Sequence, residues 1–235
     1  MIVEGFEVEG IIKVDNARVY GLGESIIASG YPMQIGTKLM ADNSPVEKIV
    51  IGETDMKRAK HLGKAIPGSG HDCYLKGITL QFDLQVPEYI WRQLDTYHFI
   101  DYVSSQSKMH RILKMDIDKA CNKYVDWEII DNLKEIINYY NNFEEELEGF
   151  KKNNPKGELK FTLRNGEMVK GTKEELFNII VANIPSGLML TARMTTNYLQ
   201  LKSIINQREH HKMQEWRYLT DWFKGLPMVS DIILK

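Results

Sequence analysis

The feature that most constrains this chain is the run Gly77-Ile78-Thr79-Leu80-Gln81-Phe82-Asp83-Leu84-Gln85-Val86. Its apolar and polar residues alternate without a break until Pro87 stops it. Successive side chains on a strand point to opposite faces, so this spacing gives a β-strand with one buried face and cannot give an amphipathic helix. A strand of this kind needs neighbours on both edges and a layer against its apolar face. The fold class expected is therefore α+β, a central and mainly antiparallel sheet covered by long helices.

Other segments fill in that plan. The first 20 residues hold short β-favouring pieces divided by Gly5 and Gly10, and Gly21-Leu22-Gly23 opens a helix through Ile27. Helix-compatible residues run from Val46 to Ala65 and end at Pro67-Gly68-Ser69-Gly70. Glu88 to Arg92 suits a helix start after Pro87. Asp126 to Phe150 carries Trp127, Ile130, Leu133, Ile137 and Tyr140 at helical spacing, with an acidic end at Glu144–Glu148 that reads as a solvated face. Leu159–Leu163 alternates into Asn165-Gly166, a strong hairpin signal. Thr172-Lys173-Glu174-Glu175 has capping-box spacing, and the helix it starts should stop before Pro185. Gly187 to Phe223 reads as helical nearly throughout, with Leu188, Thr195, Tyr198, Leu201, Ile204 and Ile205 on one face.

Composition removes whole classes. With 43% hydrophobic and 26% charged residues, disorder and fibrous structure are excluded. A formal charge of −2 gives no overall field to attract nucleic acid. Cys73 and Cys121 form no C-x-x-C arrangement and read as free thiols of a reducing compartment. No apolar run approaches the roughly 20 residues that span a bilayer, and the N-terminal residues are acidic where a signal peptide is basic, so cytoplasmic residence is expected. The chain has no G-x-G-x-x-G, P-loop, H-E-x-x-H or G-x-S-x-G motif. Adjacent His210 and His211 point about 100° apart on a helix and cannot chelate one metal, so no metal site is expected.

Arg92 to Arg111 gathers Arg92, Gln93, Tyr97, His98, Tyr102, Ser104, Ser105, Ser107, Lys108, His110 and Arg111 just after the clearest strand. Cations and hydroxyls suit a phosphate and rings suit a planar base, so a nucleotide fits. A polar helix-loop-helix with edge-packed rings accounts for the same composition.

Read with its neighbours, this segment acquires a family likeness. Gly70-His71-Asp72, the alternating strand, and Val86-Pro87-Glu88-Tyr89-Ile90-Trp91-Arg92-Gln93 resemble the stretch of flavin-dependent thymidylate synthases that runs G-H-E-x-P-x-E-H, strand, then A-P-x-x-x-x-R-Q. Ile184-Pro185, Thr195-Thr196-Asn197, Ser203, Asn206, Arg208 and Gln214 resemble that family's L-P…T-x-N-x-R-S-x-x-N-x-x-x-x-R…H-A-Q-W-E without gaps from Pro185 to Arg208. The resemblance covers roughly half the chain. It implies one domain over 1–235 with a hairpin elaboration at 157–171, and a homotetramer binding FAD and dUMP. The implied reaction is reductive methylation, with methylenetetrahydrofolate giving the carbon and NADPH the hydride. Carried over residue by residue, it places Gln93, Ser107, Lys108 and Arg208 at the nucleotide and His71, His98, Asn197 and Gln214 at the flavin. It assigns no catalytic residue.

The family signature R-H-R-x-x-S-x-N-x-x-S-x-R-Y falls on Thr96 to Met109, where only Lys108 keeps the charge of the later arginine. Further family positions carry Gly77 for His, and Val181 and Leu199 for Arg. At roughly 1.5–3 kcal/mol per charge-assisted bond, losing three or four arginines removes on the order of 5–10 kcal/mol of phosphate binding unless His98, Lys108 and Arg111 compensate. Two functions are consistent with this pattern: a divergent enzyme on dUMP or a related pyrimidine nucleotide, and a catalytically silent protein of the same fold that binds another anion or a partner chain. In either case Gln93 and Arg208, polar residues on otherwise core-forming helices, are expected to meet a ligand, with Gln93, His98, Ser107, Lys108 and Arg208 converging on one cleft.

Overall fold

A computed structural model describes residues 1–33 and 50–234, which cluster into two compact units. The first comprises residues 1–86, 90–105 and 191–235, and the second residues 87–89 and 106–190. The first 33 residues form β1 (Ile2–Val3), β2 (Phe6–Val8), β3 (Ile12–Tyr20), α1 (Leu22–Ala28) and a 3-10 turn at Tyr31–Met33. Gly21 enters α1 with φ 68, the left-handed conformation that glycine adopts without penalty, and a Cβ there would run into the Gly77 carbonyl. After α2 (Glu53–Gly63) and a 3-10 turn at Cys73–Gly77 come β4 (Thr79–Pro87), α3 (Glu88–Leu94) and β5 (Ile100–Ser105). The expected helix from Val46 is thus present from Glu53, and residues 46–49 lie outside those described.

The second unit holds α4 (Lys108–Arg111), α5 (Ile117–Ala120), α6 (Trp127–Asn141), α7 (Phe143–Asn153), β6 (Lys160–Thr162), β7 (Met168–Lys170) and α8 (Lys173–Ala182). Its core is built from Ile112, Ile117, Leu133, Ile137, Ile180 and Leu188. The hairpin of β6 and β7 turns at Asn165-Gly166, with Gly166 at φ 83, and Thr172 caps α8 by accepting the Glu175 N–H at 3.2 Å. The acidic end of Asp126–Phe150 belongs to a separate helix, α7. The chain breaks at Asn142, whose φ of −101 and ψ of 16 end α6.

The chain returns as β8 (Met189–Asn197), α9 (Tyr198–Arg208), α10 (Gln214–Lys224) and α11 (Val229–Ile232). Here the sequence expectation is corrected. Met189–Asn197 is a strand, so Leu188 and Thr195 share no helical face with Tyr198 and Leu201. The strand's β-branched Thr191, Thr195 and Thr196 favour the extended state, and Met189, Ala192, Met194 and Thr196 are its buried positions.

Sheet order is β1-β3-β4-β8-β5, with β2 also paired to β3, so the alternating strand β4 is interior as expected. The fold is α+β. Leu80, Phe82, Leu84 and Val86 are fully buried, and α10 covers them: Phe82 lies 5.4 Å from Trp222 and 6.0 Å from Phe223, ring centre to ring centre. Tyr198, Leu201, Ile204 and Trp216 complete this core. No helix among the described residues is long and apolar enough to cross a membrane.

Candidate functional site

Each of the expected site residues has a definite place. Gln93 lies in the last turn of α3 and Arg208 at the end of α9, and the two meet: Arg208 Nη1 donates to Gln93 Oε1 at 3.4 Å. Trp216 on α10 donates its indole N–H to the same oxygen at 2.8 Å. An indole nitrogen can only donate, so this bond fixes the amide with Oε1 inward, and Nε2 donates to the Met213 thioether at 3.1 Å. Tyr97, four residues after Gln93 and beyond the end of α3, accepts from Arg208 Nε at 2.8 Å and donates its hydroxyl hydrogen to Gln207 Oε1 at 3.0 Å. The guanidinium lies 4.8 Å from the Trp216 ring centre and 5.6 Å from that of Tyr97.

Every partner of Arg208 among the described residues is neutral. The adjacent Glu209 is engaged elsewhere, 3.0 Å from Lys224. The Arg208 charge is therefore oriented but not neutralised, and Nη2 has no partner among the described residues. Burial, then Arg208, Lys212 and Arg217, push His211 below its ordinary value against the opposing pull of Glu215. A planar cation held by neutral acceptors and stacked on rings suits a two-oxygen anion such as phosphate or carboxylate.

The other expected residues do different work. Ser107 and Lys108 belong to the second unit, where Ser107 Oγ accepts the His110 N–H as the cap of α4 and Lys108 Nζ sits 2.9 and 3.0 Å from the two oxygens of Glu88. Asn197 caps α9, its Oδ1 accepting the Gln200 N–H at 3.0 Å. His71 and His98 are exposed, and neither side chain makes a hydrogen bond among the described residues. Gln214 opens α10, half-buried and engaged.

Two groups were not anticipated as site or framework. One is Trp216, which clasps Arg208 together with Tyr97, a ring already noted in the Arg92–Arg111 segment; nothing local in sequence links Trp216 to either. The second is a buried ion pair, Lys202 of α9 with Asp72 at 2.7 Å, both almost fully enclosed, in which Nζ also donates to the Ala65 carbonyl at 2.6 Å. No cluster of three metal-ligating side chains exists among the described residues.

A crystal structure of the flavin-dependent thymidylate synthase ThyX from Helicobacter pylori, complexed with FAD and dUMP, superposes with a TM-score of 0.59 over 94% of this chain and 97% of its own, at 10% identity. A second structure of the Helicobacter pylori enzyme with FAD and dUMP gives 0.60 over 96% and 98%, at 12% identity. The fold is shared. No family model matches the chain and no curated protein matches its sequence, so the likeness is one of backbone.

Proposed function

We propose that this protein is a divergent flavin-dependent thymidylate synthase-like protein that binds dUMP or a related pyrimidine nucleotide, with the phosphate on Arg208. The observation that carries the reading is the guanidinium itself, clasped by Gln93, Tyr97 and Trp216 and left without a carboxylate among the described residues. A buried or half-buried charge prepared in this way is costly unless an anion meets it. The neighbours of the same fold were crystallised with dUMP and FAD, which supports a nucleotide as that anion.

FAD would supply the hydride carrier, with NADPH as its reductant and methylenetetrahydrofolate as the carbon source. The residues proposed to hold it fit in part. His71 and His98 present exposed imidazoles, and Asn197 keeps its Nδ2 while Oδ1 caps α9. Ser107 remains a proposed nucleotide contact through a hydroxyl that also caps α4, and assembly as a homotetramer in the cytoplasm belongs to the same reading.

A specific observation favours the second reading, a silent scaffold. Lys108, which alone keeps the signature charge, is held by both oxygens of Glu88 and offers little to a phosphate. The purified protein separates the cases. A flavin absorbance band with thymidylate formation supports the enzyme. A colourless protein that binds dUMP supports the scaffold. In both, Arg208→Ala weakens dUMP by about 1.5–3 kcal/mol in titration calorimetry. No dUMP binding by the wild type, or binding indifferent to Arg208, overturns the proposal.

A further inference from the structure

The sheet face opposite the core carries a second positively charged recess. Between Asp15 and Arg18 the register of β3 on β4 shifts, and Asn16 takes the left-handed φ of 50. A bulge with a residue in this sparsely populated region re-aims the side chains around it, and such strain clusters at ligand sites. Asn16 Nδ2 donates to Asp83 Oδ2 at 2.6 Å, while Arg193 Nη1 on β8 donates to the Asn16 carbonyl at 2.8 Å and to Asp83 Oδ1 at 3.1 Å. One carboxylate thus has both oxygens engaged, by the bulge and by a neighbouring strand.

Arg193 uses only Nη1 for these contacts, so Nε and Nη2 are unbonded among the described residues. The side chain of Arg18, exposed on β3, has no hydrogen bond or ion pair among them. Both arginines, Asp83, Tyr20, Ile2 and Val3 line one cleft of about 650 Å³, within the usual range of small-molecule sites. Two guanidiniums against one carboxylate leave an uncompensated positive charge. The strands on either side of β4 lie about 10 Å apart, a span that two arginine side chains can close around one anionic group.

We propose that this cleft is a second anion site, sharing no residue with the Arg208 cluster. It takes a small organic anion whose phosphate or carboxylate sits between Arg18 and Arg193 and whose apolar body rests on Tyr20, Ile2 and Val3. The proposal stands whether or not Arg208 binds a nucleotide, and the experiment keeps the two apart by using the full chain carrying Arg208→Ala. Phenyl phosphate and benzoate are titrated by calorimetry, the pair distinguishing a phosphate from a carboxylate ligand. Saturable binding of at least one is expected, weakened fivefold or more by adding Arg18→Gln, a change that removes no contact within the described protein. As a second measurement needing no further variant, arginine Nε–H NMR signals of the Arg208→Ala chain should show Arg18 and Arg193 moving with ligand. Absence of saturable binding at millimolar concentration, an effect of Arg18→Gln below fivefold, or shifts confined to other arginines overturns the proposal.

Discussion

The Arg208 cluster and the Lys108–Glu88 pair show how two cations with the same sequence promise come to opposite ends. Around Arg208 the partners are an amide oxygen, a phenol and two ring faces, all of which orient a cation without cancelling its charge. Lys108 meets Glu88 at 2.9 and 3.0 Å in a half-buried pair, so its charge is already answered. Availability for a ligand is a property of the neighbours and not of residue type. Lys202 is the extreme case: on the same helix as Arg208, it is buried against Asp72 and serves the framework alone.

That third cation gives the largest expected effect. Asp72→Ala leaves the Lys202 ammonium buried with one carbonyl, and chemical denaturation should register a loss of about 3–5 kcal/mol. Asp72→Asn, which keeps an acceptor, should lose less; equal and small losses for both would mean that α9 is not anchored through this pair. The contrast itself is tested by dUMP titration of single variants. Arg208→Gln should cost about 1.5–3 kcal/mol of binding and Lys108→Gln less than about 1 kcal/mol. Equal costs would break the distinction between a prepared and a neutralised cation.

Asn197→Ala removes a helix cap and should lower stability by about 1 kcal/mol in thermal unfolding, whether or not a flavin is bound. Dependence of that loss on added FAD would instead place the side chain at the cofactor. The smallest effect is a pH slope. Because the folded state lowers the affinity of His211 for a proton, the unfolded chain binds more protons below the ordinary histidine value near 6.5. Stability is therefore full above that value and falls as the pH drops through it toward the lowered one. His211→Phe should flatten this part of a denaturation series, and a slope unchanged by the substitution would assign it to another group.

Strand β4 and the β6–β7 hairpin were legible because each obeys a local rule, alternation in one and Asn-Gly in the other. Strand β8 was not. Leu190, Ala192, Arg193 and Met194 are good helix formers, and the extended state is imposed by pairing with β4 and β5, strands far away in sequence. The same holds for β5, hidden in a segment whose composition suggested helix and loop. At the candidate site, Gln93 and Arg208 were named through the family resemblance, and their contact at 3.4 Å is now observed. What fixes them, the indole N–H of Trp216 and the phenol of Tyr97, depends on the tertiary approach of α3, α9 and α10. Glu88 as the partner of Lys108, twenty residues away, was equally out of reach.

The place of β8 between β4 and β5 also governs when this protein can fold. Both flanking strands leave the ribosome long before residue 189, yet neither can complete its edge until β8 is made. For about 100 residues of synthesis, β4 presents an unpaired edge whose alternating apolar face has not yet met α10, the kind of surface on which nascent chains aggregate. The sheet thus closes late and by long-range pairing, which sets a slow rate for the whole fold and a period of dependence on protection during translation.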